Sequence, residues 1–152
     1  MNRIKSLKEL MKKILSIQSH VAYGYVGNKV ATFGIQLLGN EAISVNTVHF
    51  SNHTGYCRLV GEYFTADHIL STVNELIETG KLRGLDAIIT GYIGDASIGG
   101  AISESLKLLR DEVGPVVYGC DPVMGEVGRG FFVKPAIPSW FKNNLLYCTD
   151  II

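Results

Sequence analysis

The chain has 152 residues, of which 47% are hydrophobic and 18% charged. This fits one globular domain able to bury roughly 70% of its unfolded surface, and it excludes a disordered or low-complexity protein. Lysine plus arginine equals aspartate plus glutamate at 14 each, but residues 1–13 hold five basic groups against Glu9, so residues 14–152 carry nine basic and thirteen acidic groups. That mildly acidic body speaks against nucleic acid as a partner. No apolar run approaches the ~18 residues of a membrane span, and no secretory signal follows the basic head, so no membrane partner is expected. Cys57, Cys120 and Cys148 are odd in number and far apart. Reduced thiols in a cytoplasmic protein are the plain reading.

Residues 1–11 read as an N-terminal extension or a misplaced start, with a short amphipathic helix (Ile4, Leu7, Leu10) as the alternative. The domain is expected over 12–152. Ile14–Gln18 is a short apolar strand. Val26–Leu38 follows with Val26, Val30, Phe33 and Leu37 at helical spacing, which predicts a helix with that face buried, stopped by Gly39-Asn40. Ala42–Val48 is the second strand, and the aromatic stretch Tyr56–Phe64 an irregular strand or flap. Thr65 offers an N-cap to a second amphipathic helix (Ile69, Leu70, Val73, Leu76, Ile77) that ends at Gly80. Asp86–Thr90 is a strand, Ile98–Leu109 a helix and Val116–Gly119 a strand. Gly125–Gly130 is expected as a mobile loop, Pro135–Asn144 as a helix entered through proline, and Tyr147–Ile152 as the start of a further strand.

Strand and helix alternate throughout. The fold class is therefore α/β, a doubly wound, mostly parallel sheet with helices on both faces. In such sheets ligands bind outside the carboxyl ends of the strands. Gln18-Ser19-His20, Thr47–Thr54, Thr90-Gly91-Tyr92 and Cys120-Asp121-Pro122 each follow a strand at that end, so they should meet in one crevice.

Several chemistries are set aside on the residues themselves. Ser19-His20 lacks the G-x-S-x-G elbow, and neighbours on an extended segment point to opposite sides, which disfavours hydrolysis. His49 and His53 are four apart but in HFSNH, without helical context or a glutamate after the first histidine, which disfavours zinc. The glycines of GEVGRG match neither dinucleotide nor Walker spacing, so no direct phosphate cradle is read there.

The strings SIQSHVAYGYVGN (16–28), VNTVHFSNHTGY (45–56) and CDPVMG (120–125) resemble those of the pyridoxal kinases of the ribokinase-like superfamily. The likeness runs from about Lys12 to the last residue and ends near the middle of such a kinase. It implies a truncated ribokinase-like chain whose family transfers the γ-phosphate of ATP to pyridoxal. It implies that Ser19, Thr54 and Gly55 contact the vitamin, that Tyr92 lies against its pyridine ring, and that His53 and Phe50 form pocket wall. Asp121 would stand near magnesium and the ATP phosphates, and the full-length family implies a homodimer. The glycine-rich anion hole and the catalytic aspartate of these kinases match no string here, so no catalytic residue is assigned and the chain is expected to be inactive alone. A fragment of a hydroxymethylpyrimidine-type kinase, or a non-catalytic vitamin-binding fragment, are the alternatives. The former family's serine-aspartate opening is not what SIQSHVAYGYVGN shows.

Overall fold

The computed structural model describes residues 11–131 and 133–152. The first ten residues, on which most of the proposed extension falls, lie outside the described part. The elements run β1 (Lys13–Val21), α1 (Asn28–Leu37), β2 (Glu41–Phe50), β3 (Gly61–Tyr63), α2 (Ala66–Glu78), β4 (Ala87–Thr90), α3 (Ala96–Glu112) and β5 (Val117–Cys120). A short hairpin of β6 (Gly125–Glu126) and β7 (Gly130–Phe131) and the helix α4 (Ala136–Trp140) follow.

The main sheet has the order β3-β2-β1-β4-β5. Strands β2, β1, β4 and β5 are parallel, and β3 joins β2 antiparallel as a short edge. The expected α/β sheet with helices on both faces is what the chain forms. From β1 the chain first builds outward through β2 and then crosses to β4 on the other side. The strand order thus reverses between β1 and β4, the place where such folds open a crevice.

Alternation along β1 sends side chains to opposite faces. Leu15 and Ile17 join Val45, Ile88 and Tyr118 in one apolar core, closed by Ile69 and Val73 of α2 and by Ile98, Ile102 and Leu109 of α3. The opposite face is polar. There Ser16 donates to Asn28 Oδ1 at 2.6 Å, and Asn28 Nδ2 reaches the Val45 carbonyl at 3.1 Å and Asn46 Oδ1 at 2.8 Å. Asn28 is buried at the start of α1 and ties that helix to two strands.

This seam corrects the reading of α1. The helix exists, but its buried residues are Asn28 and Ile35. Phe33 and Leu37 are exposed at 62% and 73%, with Val30 also exposed and Val26 half-buried. Helical spacing finds an apolar stripe without saying which way it points, and the hydrogen bonds of Asn28 turn the helix by its polar side onto the sheet.

Other boundaries shift for similar reasons. β1 and β2 run on to Val21 and Phe50 because each completes the other's backbone bonds past a register shift between Gln18 and His20. Thr65 caps α2 as expected, accepting from His68 N at 3.1 Å. Gly125–Gly130 is not a free loop, since Gly125 pairs with Phe131 and Glu126 with Gly130. The helix expected at 135–144 is α4 continued by a π turn (Phe141–Leu145) and a 3₁₀ turn (Leu146–Cys148). Those turns take up the start of the last expected strand, leaving only Ile151 bridged in parallel to Gly119.

Two carboxylates fasten the edges of this frame. Asp86 accepts from Lys13 N at 2.8 Å and from Lys12 Nζ at 2.9 Å, which holds it below the usual carboxylate range. Asp95 caps α3 and pairs with Lys134 at 2.6 Å, and Lys134 and Ser97 hold its carboxyl at about 2. A carboxyl depressed in the folded state adds stability above its unfolded pKa and loses it as pH falls through the folded value. We therefore expect the contribution of Asp95 to fade between about pH 4 and pH 2. Asp95→Asn should lower the thermal midpoint at pH 7 and leave it unchanged near pH 2, as calorimetry over that range will check.

Candidate functional site

A cavity of about 210 Å³ opens at the carboxyl ends of β1 and β4. Ser19, Phe50, His53, Thr54, Tyr92 and Asp121 all line it. Six of the seven residues singled out in the sequence thus meet at one edge. Gly55 does not line the cavity; its amide donates to His53 Nδ1 at 3.0 Å and shapes the loop beside Thr54.

Each side chain arrives for a local reason. Ser19 follows the last β1 residue paired in regular register and is 93% buried, at 7% relative exposure. Gly27 stands directly against it, with φ 55° and ψ −142°. A methyl group there would run into the Ser19 carbonyl and hydroxyl oxygens, so the glycine is needed both for its backbone angle and for the close approach. Phe50 ends β2 in a small apolar cluster with Val21 and Val48, against which Val26 and Tyr92 pack.

The loop after Phe50 is built on Asn52, whose amide donates to the carbonyls of His53 at 3.1 Å and Arg58 at 2.9 Å. Tyr92 leaves β4 with its carbonyl bonded by the buried Thr47 hydroxyl at 2.8 Å. Burial, and then the adjacent Tyr63 phenol, push the Tyr92 phenol up to about 12, so it is a neutral donor at physiological pH.

Asp121 leaves β5 with its amide on the Thr90 carbonyl at 2.9 Å. Its carboxylate is on an exposed residue and makes no side-chain hydrogen bond among the described residues. Asp121 and Val123 also line a second cavity, formed by 121–131 around the β6–β7 hairpin. Asp121 therefore stands between two adjoining spaces. A free, hydrated carboxylate is a fitting oxygen donor for magnesium. Among the described residues no group of three His, Cys, Asp or Glu side chains is placed to hold a metal.

Gln18 and Asn52, from the strand-end segments expected at the crevice, also line the first cavity, and so do Val21, Val26, Gly27 and Val123, which were not expected there. Gly27 carried a signal, because a glycine just before an expected helix marks a special backbone angle. Val26 was assigned to the helix core instead. His49, weighed only with His53, faces His20 with ring centroids 5.2 Å apart.

A five-stranded, mostly parallel sheet with this order, helices on both faces and a cavity of mixed polar and apolar lining at the reversal point fits a ribokinase-like α/β fold. No family model matches the chain. It is 45% identical over 139 residues to a pyridoxal kinase PdxY of Granulibacter bethesdensis, covering 91% of this chain and 49% of that protein. The pyridoxal kinase PdxY of Rubrobacter xylanophilus gives 44% over 139 residues, with 91% and 48% covered. The structure of pyridoxal kinase from Leishmania donovani in complex with ADP and pyridoxamine superposes with a TM-score of 0.79 at 34% identity, covering 86% of this chain and 47% of that one. The chain belongs to the pyridoxal kinase family, and it spans about half the length of the curated relatives it matches.

Proposed function

We propose that this chain carries the vitamin-binding part of an ATP-dependent pyridoxal kinase. The observation that carries the reading is the convergence of Ser19, Thr54, Tyr92 and Asp121 on one cavity. Ser19 and Thr54 offer hydroxyls that donate to and accept from the polar atoms of a substituted pyridine. The face of Tyr92 offers offset stacking to its ring, worth about 0.5–1.5 kcal/mol beyond burial. Phe50, Val21 and Val26 exclude water from its apolar edge, and His53 stands at the mouth.

Asp121 is the group that would hold magnesium and orient the nucleotide phosphates from the second cavity. Bound Mg-ATP would supply the phosphoryl group and neutralise its charge. Phosphoryl transfer also needs a base and an anion site, and none of the residues around the first cavity is assigned to either task. The 152-residue chain is accordingly expected to bind pyridoxal without phosphorylating it. Cys57, Cys120 and Cys148 are all free thiols, which supports a cytoplasmic setting. No helix among the described residues is long and apolar enough to cross a membrane. The exposed stripe of Val30, Phe33, Leu37 and Leu38 on and just after α1 supports association with a second copy, which light scattering on the purified chain measures.

Equilibrium dialysis against pyridoxal and against hydroxymethylpyrimidine tests the reading. Saturable retention of pyridoxal over the pyrimidine is expected. Preference for the pyrimidine would move the chain to the alternative kinase class, and retention of neither would remove the vitamin reading.

A further inference from the structure

Behind the aromatic wall of the cavity stands a second tyrosine that does not itself line it. Tyr63 ends β3, opposite Val48 in the antiparallel register. Its ring meets Phe50 edge-on, with centroids 5.0 Å apart. Phe50 and Val48 belong to the small cluster against which Tyr92 packs. Tyr63 therefore braces Phe50 directly and Tyr92 through that cluster, and both of those aromatic residues line the cavity. Half of the Tyr63 surface is open to solvent, at 51%, but its inner edge is confined. A Cβ added at Gly94 would come within 3.2 Å of its ring, so the turn after Tyr92 is a glycine pressed against Tyr63.

A cation also stands over that ring. Lys134 Nζ stands 5.5 Å from the Tyr63 centroid and 2.6 Å from Asp95 Oδ2. Asp95 is itself held, since its Oδ1 accepts from Ser97 N at 2.9 Å and Ser97 Oγ at 2.8 Å at the start of α3. A free surface lysine over a ring is worth little, because ordering its stem offsets the attraction. Here the ammonium is already fixed by a capped carboxylate, so little further ordering is lost in placing it on the ring. Lys134 also lies just past the β6–β7 hairpin that begins beyond Asp121. Two other segments thus converge on Tyr63 at the end of β3: the β4–α3 turn that carries Tyr92 and Gly94, and the exit of the hairpin.

We infer that Tyr63, clamped by Lys134 and Asp95, is a positioning residue that sets the ring of Tyr92 to receive a flat heteroaromatic ligand. This rests on reading the cavity as the vitamin pocket. Stacking falls away when two rings are tilted or displaced, so a loosened Tyr92 costs affinity without any contact between Tyr63 and the ligand.

The test uses the 152-residue chain with tyrosine labelled with ¹³C at Cζ. The Tyr92 signal is assigned by its loss in Tyr92→Phe, and pyridoxal affinity is measured on the same samples. Tyr63→Phe and Lys134→Met should each move the Tyr92 resonance and raise the pyridoxal Kd by about three- to tenfold. The Tyr63→Phe midpoint should stay near wild type, the Lys134→Met midpoint should fall no further than that of Asp95→Asn, and Lys134→Arg should restore both readouts. Should Lys134→Met fail to fold, Asp95→Asn removes the same clamp from its other end. A Tyr92 signal that stays in place in either variant overturns the inference. So does a moved signal with unchanged pyridoxal affinity, because the clamp would then hold nothing that matters to the ligand. Absence of pyridoxal binding in the wild-type chain contradicts the proposed function instead, and the Tyr92 resonance still decides whether the clamp exists.

Discussion

Replacing Gly27 by alanine is expected to abolish measurable pyridoxal binding and to destabilise the chain. Two costs add at this position. The backbone lies at φ 55° and ψ −142°, a region that only glycine occupies freely, and forcing a side chain into it costs about 1–3 kcal/mol. The new methyl group would also collide with the Ser19 backbone and hydroxyl, and overpacking of that kind costs typically ~1–3 kcal/mol more. The strain can be relieved only by moving Ser19 or the start of α1, and Ser19 is the buried hydroxyl of the cavity. Gly34→Ala is the control, because nothing lies within 4 Å of a Cβ there and it sits inside α1, where alanine is the better helix former. A thermal melt of both variants beside a pyridoxal titration separates the two cases. Wild-type affinity in Gly27→Ala would show that Ser19 does not depend on that approach.

The second large effect falls on Asn28. Its side chain accepts from Ser16 Oγ and donates to the Val45 carbonyl and to Asn46 Oδ1, all in a buried seam. Asn28→Leu keeps the branched shape, with bulkier methyl groups, and removes all three bonds, leaving Ser16 Oγ only the bond it accepts from Gln18 Nε2. A buried polar group that loses its hydrogen bond costs about 1–3 kcal/mol, and Ser16 and the Val45 carbonyl are both affected. We expect a loss of ~3 kcal/mol, read as a fall in the denaturant midpoint. Asn28→Asp should lose less at low pH, where a protonated carboxyl can still donate one hydrogen bond. An unchanged midpoint in Asn28→Leu would mean that α1 is held by other contacts.

Those two neighbours also mark how far the sequence could be read. Alternating apolar runs and glycine stops were enough to place the strands and the crevice at their carboxyl ends. Ser19, Tyr92 and Asp121 could be placed at the cavity because each stands at the end of such a run, and Thr54 because it lies in the loop four residues after Phe50. The orientation of α1 was not legible. Val30, Phe33 and Leu37 have the spacing of a core face, yet they are exposed, because one asparagine with three buried bonds decides which side meets the sheet. Hydropathy periodicity carries no term for that.

The hairpin at Gly125–Phe131 was missed because its strands are two residues long, too short to show alternation. The support of Tyr92 by Tyr63 joins residues 29 apart in sequence, and neither propensity nor spacing couples such positions. Gly55 adds what spacing does not show, because its amide bond to His53 Nδ1 shapes the loop that carries Thr54.

A pocket for pyridoxal preformed by the four strand ends should be visible in calorimetric titration of the 152-residue chain. One saturable site per chain is expected, weakened about two- to tenfold by Ser19→Ala and by Thr54→Ala, each losing a hydrogen bond worth about 0.5–1.5 kcal/mol. Heat of binding that is absent, or that is identical in both variants and the wild type, would contradict it.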